Sequence, residues 1–111
     1  MPKFYFTYGS EGQPFCGGWT EVEAPDGHAA CAAFQAYHPD KTEGLLNCSS
    51  MYDEEHFKQT EMYQRSNFGY YCHETITLRR EIVYGLGGDP DRLFRETITL
   101  QRELTDEGRL R

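Results

Sequence analysis

The amino-acid sequence predicts an α+β fold: a mostly antiparallel sheet of four to five strands, two helices packed on one face, and a C-terminal β-hairpin. Three observations predict it. Short runs of strand and helix character follow one another through the first 70 residues in the order strand, strand, helix, strand, helix. The segment Glu74-Thr75-Ile76-Thr77-Leu78-Arg79-Arg80-Glu81 recurs as Glu96-Thr97-Ile98-Thr99-Leu100-Gln101-Arg102-Glu103, with one change in eight positions. Composition also breaks near residues 70–72: thirteen of the sixteen aromatic residues fall in 1–70, and seven of the eight arginines follow.

Each element has its own signal. Lys3-Phe4-Tyr5-Phe6-Thr7-Tyr8 is an aromatic run of strand length, closed by Gly9-Ser10-Glu11-Gly12. A turn-rich stretch ending in Gly17-Gly18 leads into Trp19-Thr20-Glu21-Val22-Glu23-Ala24, whose partial alternation predicts a half-buried strand. Pro25-Asp26-Gly27 stops it, with Asp26 as the N-cap of a helix over 28–38 carrying Cys31, Phe34 and Tyr37 at helical spacing. Pro39 ends that helix. Leu45-Leu46-Asn47-Cys48 reads as a short third strand. Asp53-Glu54-Glu55 places three acids where a helix macrodipole favours them, so a second helix is expected over 53–63. Asn67-Phe68-Gly69 reads as a turn.

The repeat tests well as a hairpin around Gly87-Gly88-Asp89-Pro90. Pairing Ile76 with Leu100, Leu78 with Ile98 and Ile82 with Phe94 also sets Arg80 against Glu96, Glu81 against Arg95 and Glu74 against Arg102. Apolar then meets apolar and acid meets base. A competing reading makes the second arm a helix started by Asp89-Pro90-Asp91, with Leu93, Thr97, Leu100 and Leu104 as its stripe. The organisation is one domain: a compact body over 1–72, the hairpin over 73–104 and a frayed tail over 105–111.

Composition narrows function. The net charge is −7, and residues 1–70 hold ten acids against four bases. A nucleic-acid surface needs the opposite sign, so no direct nucleic-acid binding is expected. An acidic face that enters a basic groove of another protein is compatible with it. No apolar run reaches membrane-spanning length and no leader pattern is evident, so no membrane association and a cytoplasmic location are expected. Cys16, Cys31, Cys48 and Cys72 form no CxxC pair and read as small buried hydrophobes.

Candidate chemistry is sparse. Cys72-His73-Glu74 sets a thiol beside an imidazole, but strand neighbours point to opposite faces, so a Cys72/His73 dyad is geometrically poor. The cysteines with His28, His38, His56 and His73 offer zinc ligand types without zinc spacing, so no metal and no cofactor are expected. The glycine pairs lack the spacing of a phosphate-cradling loop and read as turns. Surplus aromatics, among them Trp19, Tyr52 and Phe68, are candidates to line a pocket for a planar ligand.

Phe4-Tyr5-Phe6-Thr7-Tyr8-Gly9, Gly17-Gly18-Trp19, Val22-Glu23-Ala24, Leu46-Asn47-Cys48, Tyr52 with Phe57, Asn67-Phe68-Gly69 and Cys72-His73-Glu74 together resemble small uncharacterised proteins of bacteriophages, prophages and mobile elements. The resemblance covers residues 3–74 and stops before the repeat. It implies a genomic setting in which small acidic proteins inhibit bacterial defence, anti-CRISPR proteins among them, and brings no catalytic residue set. The expected function is therefore a non-enzymatic inhibitor that places Glu11, Glu21, Glu23, Asp53, Glu54 and Glu55 in the basic groove of a host protein, for example a CRISPR nuclease. The alternatives are a small-ligand or nucleotide-sequestering protein built on Trp19, Tyr52 and Phe68, and a zinc- or thiol-dependent enzyme. The last strand could also pair at its edge with a second copy to give a homodimer.

Overall fold

A computed structural model of the protein describes residues 1–9, 12–15, 17–65, 72–84 and 94–105. The elements are β1 (Lys3–Thr7), β2 (Trp19–Glu23), α1 (Gly27–Tyr37), β3 (Ser50–Asp53), α2 (Glu54–Phe57), α3 (Glu61–Arg65), β4 (Cys72–Tyr84) and β5 (Phe94–Leu104). The five strands form one sheet in the order β3-β1-β2-β4-β5. β1 pairs antiparallel with β2 and β3, and β4 with β5, while β2 and β4 run parallel. The fold is α+β as expected, with a mixed sheet.

The aromatic run of β1 explains how the two layers attach. Phe6 stacks on Phe34 of α1 with ring centroids 4.3 Å apart, while Tyr5 stacks on Phe57 of α2 at 4.1 Å. Successive strand residues point to opposite faces, so α1 and α2 cover opposite faces of the sheet. The expectation of both helices on one face is corrected here. A strand buried on both sides needs no polar alternation, which is why residues 4–8 read as one unbroken run.

The main core lies under α1. Phe6, Val22, Ile76 and Leu78 of the sheet, with Tyr8 and Ala24 just past the ends of β1 and β2, meet Ala29, Ala30, Ala33 and Phe34 of the helix. Three alanines on that helical face let the backbone approach the sheet closely. Asp26 caps the helix as expected, its Oδ1 accepting from Ala29 N at 2.8 Å. Gly17 and Gly18 both have positive φ (85° and 74°), where a side chain would be strained. This turn aims the Gly18 carbonyl at Tyr8 N (3.0 Å) and the Gly17 carbonyl at His73 Nε2 (2.6 Å).

Three other expectations change. The third strand is Ser50–Asp53, not residues 45–48; Leu45 is exposed and makes only an isolated bridge to Thr42. Asp53 therefore ends a strand and caps a helix in one step, its carboxylate accepting from His56 N at 2.8 Å. The second helix is divided: Thr60 Oγ1 donates to Phe57 O at 2.7 Å and accepts from Tyr63 N at 3.2 Å, closing α2 and opening α3.

The hairpin forms, so the helical alternative for the second arm is overturned over residues 94–104. Its register is displaced by two residues from the expected one. Ile76 faces Arg102, Leu78 faces Leu100, Arg80 faces Ile98, Glu81 faces Thr97 and Ile82 faces Glu96. A two-residue slip leaves every side chain on its own face, so the burial pattern does not resist it. The expected ion pair between Glu74 and Arg102 survives as a diagonal contact (2.5 Å). Thr105, expected to fray, is tied to His73 O through both its N–H and its hydroxyl, each at 3.0 Å. The turns expected at 67–69 and 87–90, the helix start at 89–91 and the tail over 106–111 lie outside the described residues.

Candidate functional site

The face of the sheet opposite α1 gathers the expected acids. Glu21 and Glu23 stand on β2 opposite Tyr5 and Lys3 of β1. Asp53, Glu54 and Glu55 approach from the other side of β1, at the junction of β3 and α2. Tyr5 links the two groups: its hydroxyl lies 3.2 Å from Glu21 Oε1 and 3.4 Å from Glu54 Oε2. Burial first, then the two carboxylates, push the Tyr5 phenol well above its ordinary value, so it stays a neutral donor. Glu11 lies outside the described residues.

Cations line this face only as loose arms. The Lys3 ammonium is 3.8 Å from Glu21, the chain's amino group 3.6 Å from Glu23, and Lys58 3.7 Å from Glu54. These basic groups stay between 31% and 54% exposed, so solvent screens the pairs and a partner's cation can displace them at small cost. Asp53 is held below the usual carboxyl range by the His56 N–H and then by the His56 ring, which is raised in turn. Glu55 is exposed at the rim.

The expected aromatic pocket is already filled. Trp19 and Tyr52 converge, but on the ring of Phe57, at 5.0 and 6.3 Å between centroids. Tyr63 adds a fourth edge at 5.7 Å. Phe57 is 2% exposed, so the cluster is a second small core beneath α2 and offers a planar ligand no slot there. Phe68 lies outside the described residues.

A buried polar cluster lies beneath the C-terminus of α1, and of it only the pairing of Glu74 with Arg102 was expected. Glu74 is fully buried on the α1 face of β4. Its Oε1 accepts from the Thr20 hydroxyl (2.8 Å) and meets His38 Nε2, while Oε2 takes the Arg102 Nε–H. The Tyr8 and Thr20 hydroxyls share a 2.5 Å bond, and the Arg102 guanidinium lies over the Tyr37 ring. Burial alone would raise the Glu74 carboxyl; the bonds from His38, Thr20 and Arg102 outweigh it and hold the group below its ordinary value. The available signal was the alternation Glu74-Ile76-Leu78, which puts a carboxylate on an apolar face. With both carboxylate oxygens bonded to donors, this cluster ties α1, β2, β4 and β5 together.

The thiols of Cys31, Cys48 and Cys72 are all raised, and Cys16 lies outside the described residues. Burial, followed by the charge of Glu21, raises Cys72, and its sulfur is hydrogen-bonded to Glu74 O at 3.3 Å. Burial pushes Cys48 up to about 11. A raised thiol keeps its proton and its low reactivity. His73 is buried, with Phe15 stacked on it at 4.4 Å and its Nε2 at the Gly17 carbonyl. Among the described residues no three His, Cys, Asp or Glu side chains converge as a metal site, and no helix is long and apolar enough to cross a membrane. No protein-family model, curated protein or solved structure matches the chain.

Proposed function

We propose that the protein is a non-enzymatic binding protein that seats its acidic sheet face in a basic groove of another protein. The observation that carries this reading is the meeting of Glu21 and Glu54 at one tyrosine hydroxyl. They come from distant parts of the chain, and Glu23, Asp53 and Glu55 border them. Their present cations, Lys3 and Lys58, are partly exposed, so a partner's arginine or lysine can take their place. A guanidinium can bridge the two carboxylates in the fork geometry that suits it. Sequence resemblance to phage and mobile-element proteins supports the choice of partner: a bacterial defence protein such as a CRISPR nuclease. The filled aromatic cluster disfavours a ligand-sequestering role, and the raised thiols disfavour a thiol enzyme.

The test is retention of purified basic-grooved defence proteins on the immobilised chain as salt is varied. Binding at low ionic strength should weaken about tenfold or more by 0.3 M salt, as expected for charges within a Debye length of one another. Retention of none of them, or an affinity indifferent to salt, would overturn the proposal.

A further inference from the structure

The repeat encodes a pairing that the hairpin does not use. Within the chain, the two arms align Leu78 with Leu100 and Ile76 with Arg102, and no acid of one copy of the motif stands directly opposite a base of the other; Glu74 and Arg102 meet on the diagonal. The register that would set acid directly opposite base along the motif is therefore not the one the hairpin adopts. Because the two copies are nearly identical, the same complementarity exists between one β5 and a second β5.

β5 is placed to use it. It is the terminal strand of the sheet, and its eleven residues pair with β4 along one side. The backbone groups of its other side meet no strand among the described residues. Edges that must not pair are blunted by lysine, proline, bulges or inward charges. The middle of β5, residues 97–101, is Thr-Ile-Thr-Leu-Gln, and its ladder to β4 runs without a shift. Ile98 is 57% exposed there, beside a groove of about 290 Å³ between α1 and the hairpin lined by Ala29, Ala32, Ala33, Leu78 and Leu100.

We infer that two copies of this chain pair β5 against β5, antiparallel, about a two-fold axis at Thr99. In that register position 95, an arginine, falls opposite the partner's position 103, a glutamate, and position 96, a glutamate, opposite the partner's position 102, an arginine. Ile98 falls opposite the partner's Leu100, Thr97 opposite its Gln101 and Phe94 opposite its Leu104. Every pair occurs twice by symmetry. The neighbouring registers are excluded by charge: a slip of one residue in one direction sets Arg95 against Arg102, and in the other Glu96 against Glu103. Slips of two residues set Glu96 against Leu100 or Leu104. The two-fold at Thr99 is thus the one register in this range that matches charge with charge and apolar with apolar. It continues each five-stranded sheet into the other and brings the partner's apolar residues beside the groove that exposes Ile98.

Analytical ultracentrifugation of the full chain across concentration, with three variants, tests this. The wild type should sediment as a reversible dimer. Arg95→Glu should weaken the dimer about tenfold or more, because two opposed pairs become repulsive, and Arg95→Glu/Glu103→Arg should return it to within about threefold of wild type. Thr99→Cys should be linked to itself by a short bis-maleimide far beyond the background of the native thiols, with circular dichroism unchanged. A wild type that is monomeric throughout, an Arg95→Glu dimer as tight as wild type, or Thr99→Cys linkage no better than background would each overturn the inference.

Discussion

Replacing Glu74 with alanine is expected to remove about 3–5 kcal/mol of stability, the usual consequence of breaking a buried ion pair from one side. The carboxylate is fully enclosed and takes bonds from Thr20, His38 and Arg102. Without it, the Arg102 end that reaches inward and the polar edge of His38 have no acceptor and little water. Domains of this size hold only about 5–15 kcal/mol in total, so the variant should be largely unfolded well below the wild-type midpoint. Glu74→Gln keeps the volume but sets an amide against donors, and should cost about 2 kcal/mol. The pH dependence carries the same signature. A carboxyl whose folded value lies below its ordinary 4.5 contributes stability above that pH, and the contribution is lost as pH falls through the folded value. Urea unfolding at pH 7 and at pH 3 checks both points. The wild type should lose more stability on acidification than Glu74→Gln does, and equal losses would contradict this account of the cluster.

Truncating Phe57 to alanine is the second large effect, expected at about 3–5 kcal/mol. α2 spans only Glu54–Phe57, too short to persist without tertiary contacts, and Phe57 provides them through Tyr5, Trp19, Tyr52 and Tyr63. The truncation would leave a space walled by Tyr5, Trp19 and Tyr52, the last two of which were expected to line a pocket with Phe68. Small aromatic solutes should therefore restore part of the lost stability in Phe57→Ala and do nothing for the wild type. Thermal melts followed by far-ultraviolet circular dichroism, with and without benzene, read both. A loss below about 1 kcal/mol would mean that Phe57 does not hold this face together.

The sequence made some elements legible for physical reasons that particular residues show. α1 has a cap at Asp26, spaced aromatics and alanines, all local signals, and it appears where expected. The hairpin was legible because its two arms repeat one another, yet its register was not, since a two-residue slip changes partners without changing faces. The parallel pairing of β2 with β4 joins segments some fifty residues apart and leaves no local trace. The opposed placement of α1 and α2 was present in the run from Phe4 to Tyr8, where burial on both sides replaces alternation. Of the candidate site, the acids Glu21, Glu23, Asp53, Glu54 and Glu55 were named from charge alone, and their grouping around β1 needed the register to be seen. The Glu74 cluster was half visible: its bond to Arg102 was expected, while Thr20, Tyr8 and His38 converge only through the sheet order.

The division of labour between the two faces is the centre of this account. One face carries the main core and the buried Glu74 cluster; the other carries the Phe57 cluster and the carboxylates proposed to meet a partner. Glu21→Gln/Glu54→Gln separates these roles, because it removes two charges while keeping shape and the acceptors for the Tyr5 hydroxyl. Measured side by side, its folding free energy should stay within about 0.5 kcal/mol of wild type. Its affinity for a basic-grooved partner should fall about tenfold or more. An intact fold that binds as tightly as wild type would contradict the claim that this face is the binding surface.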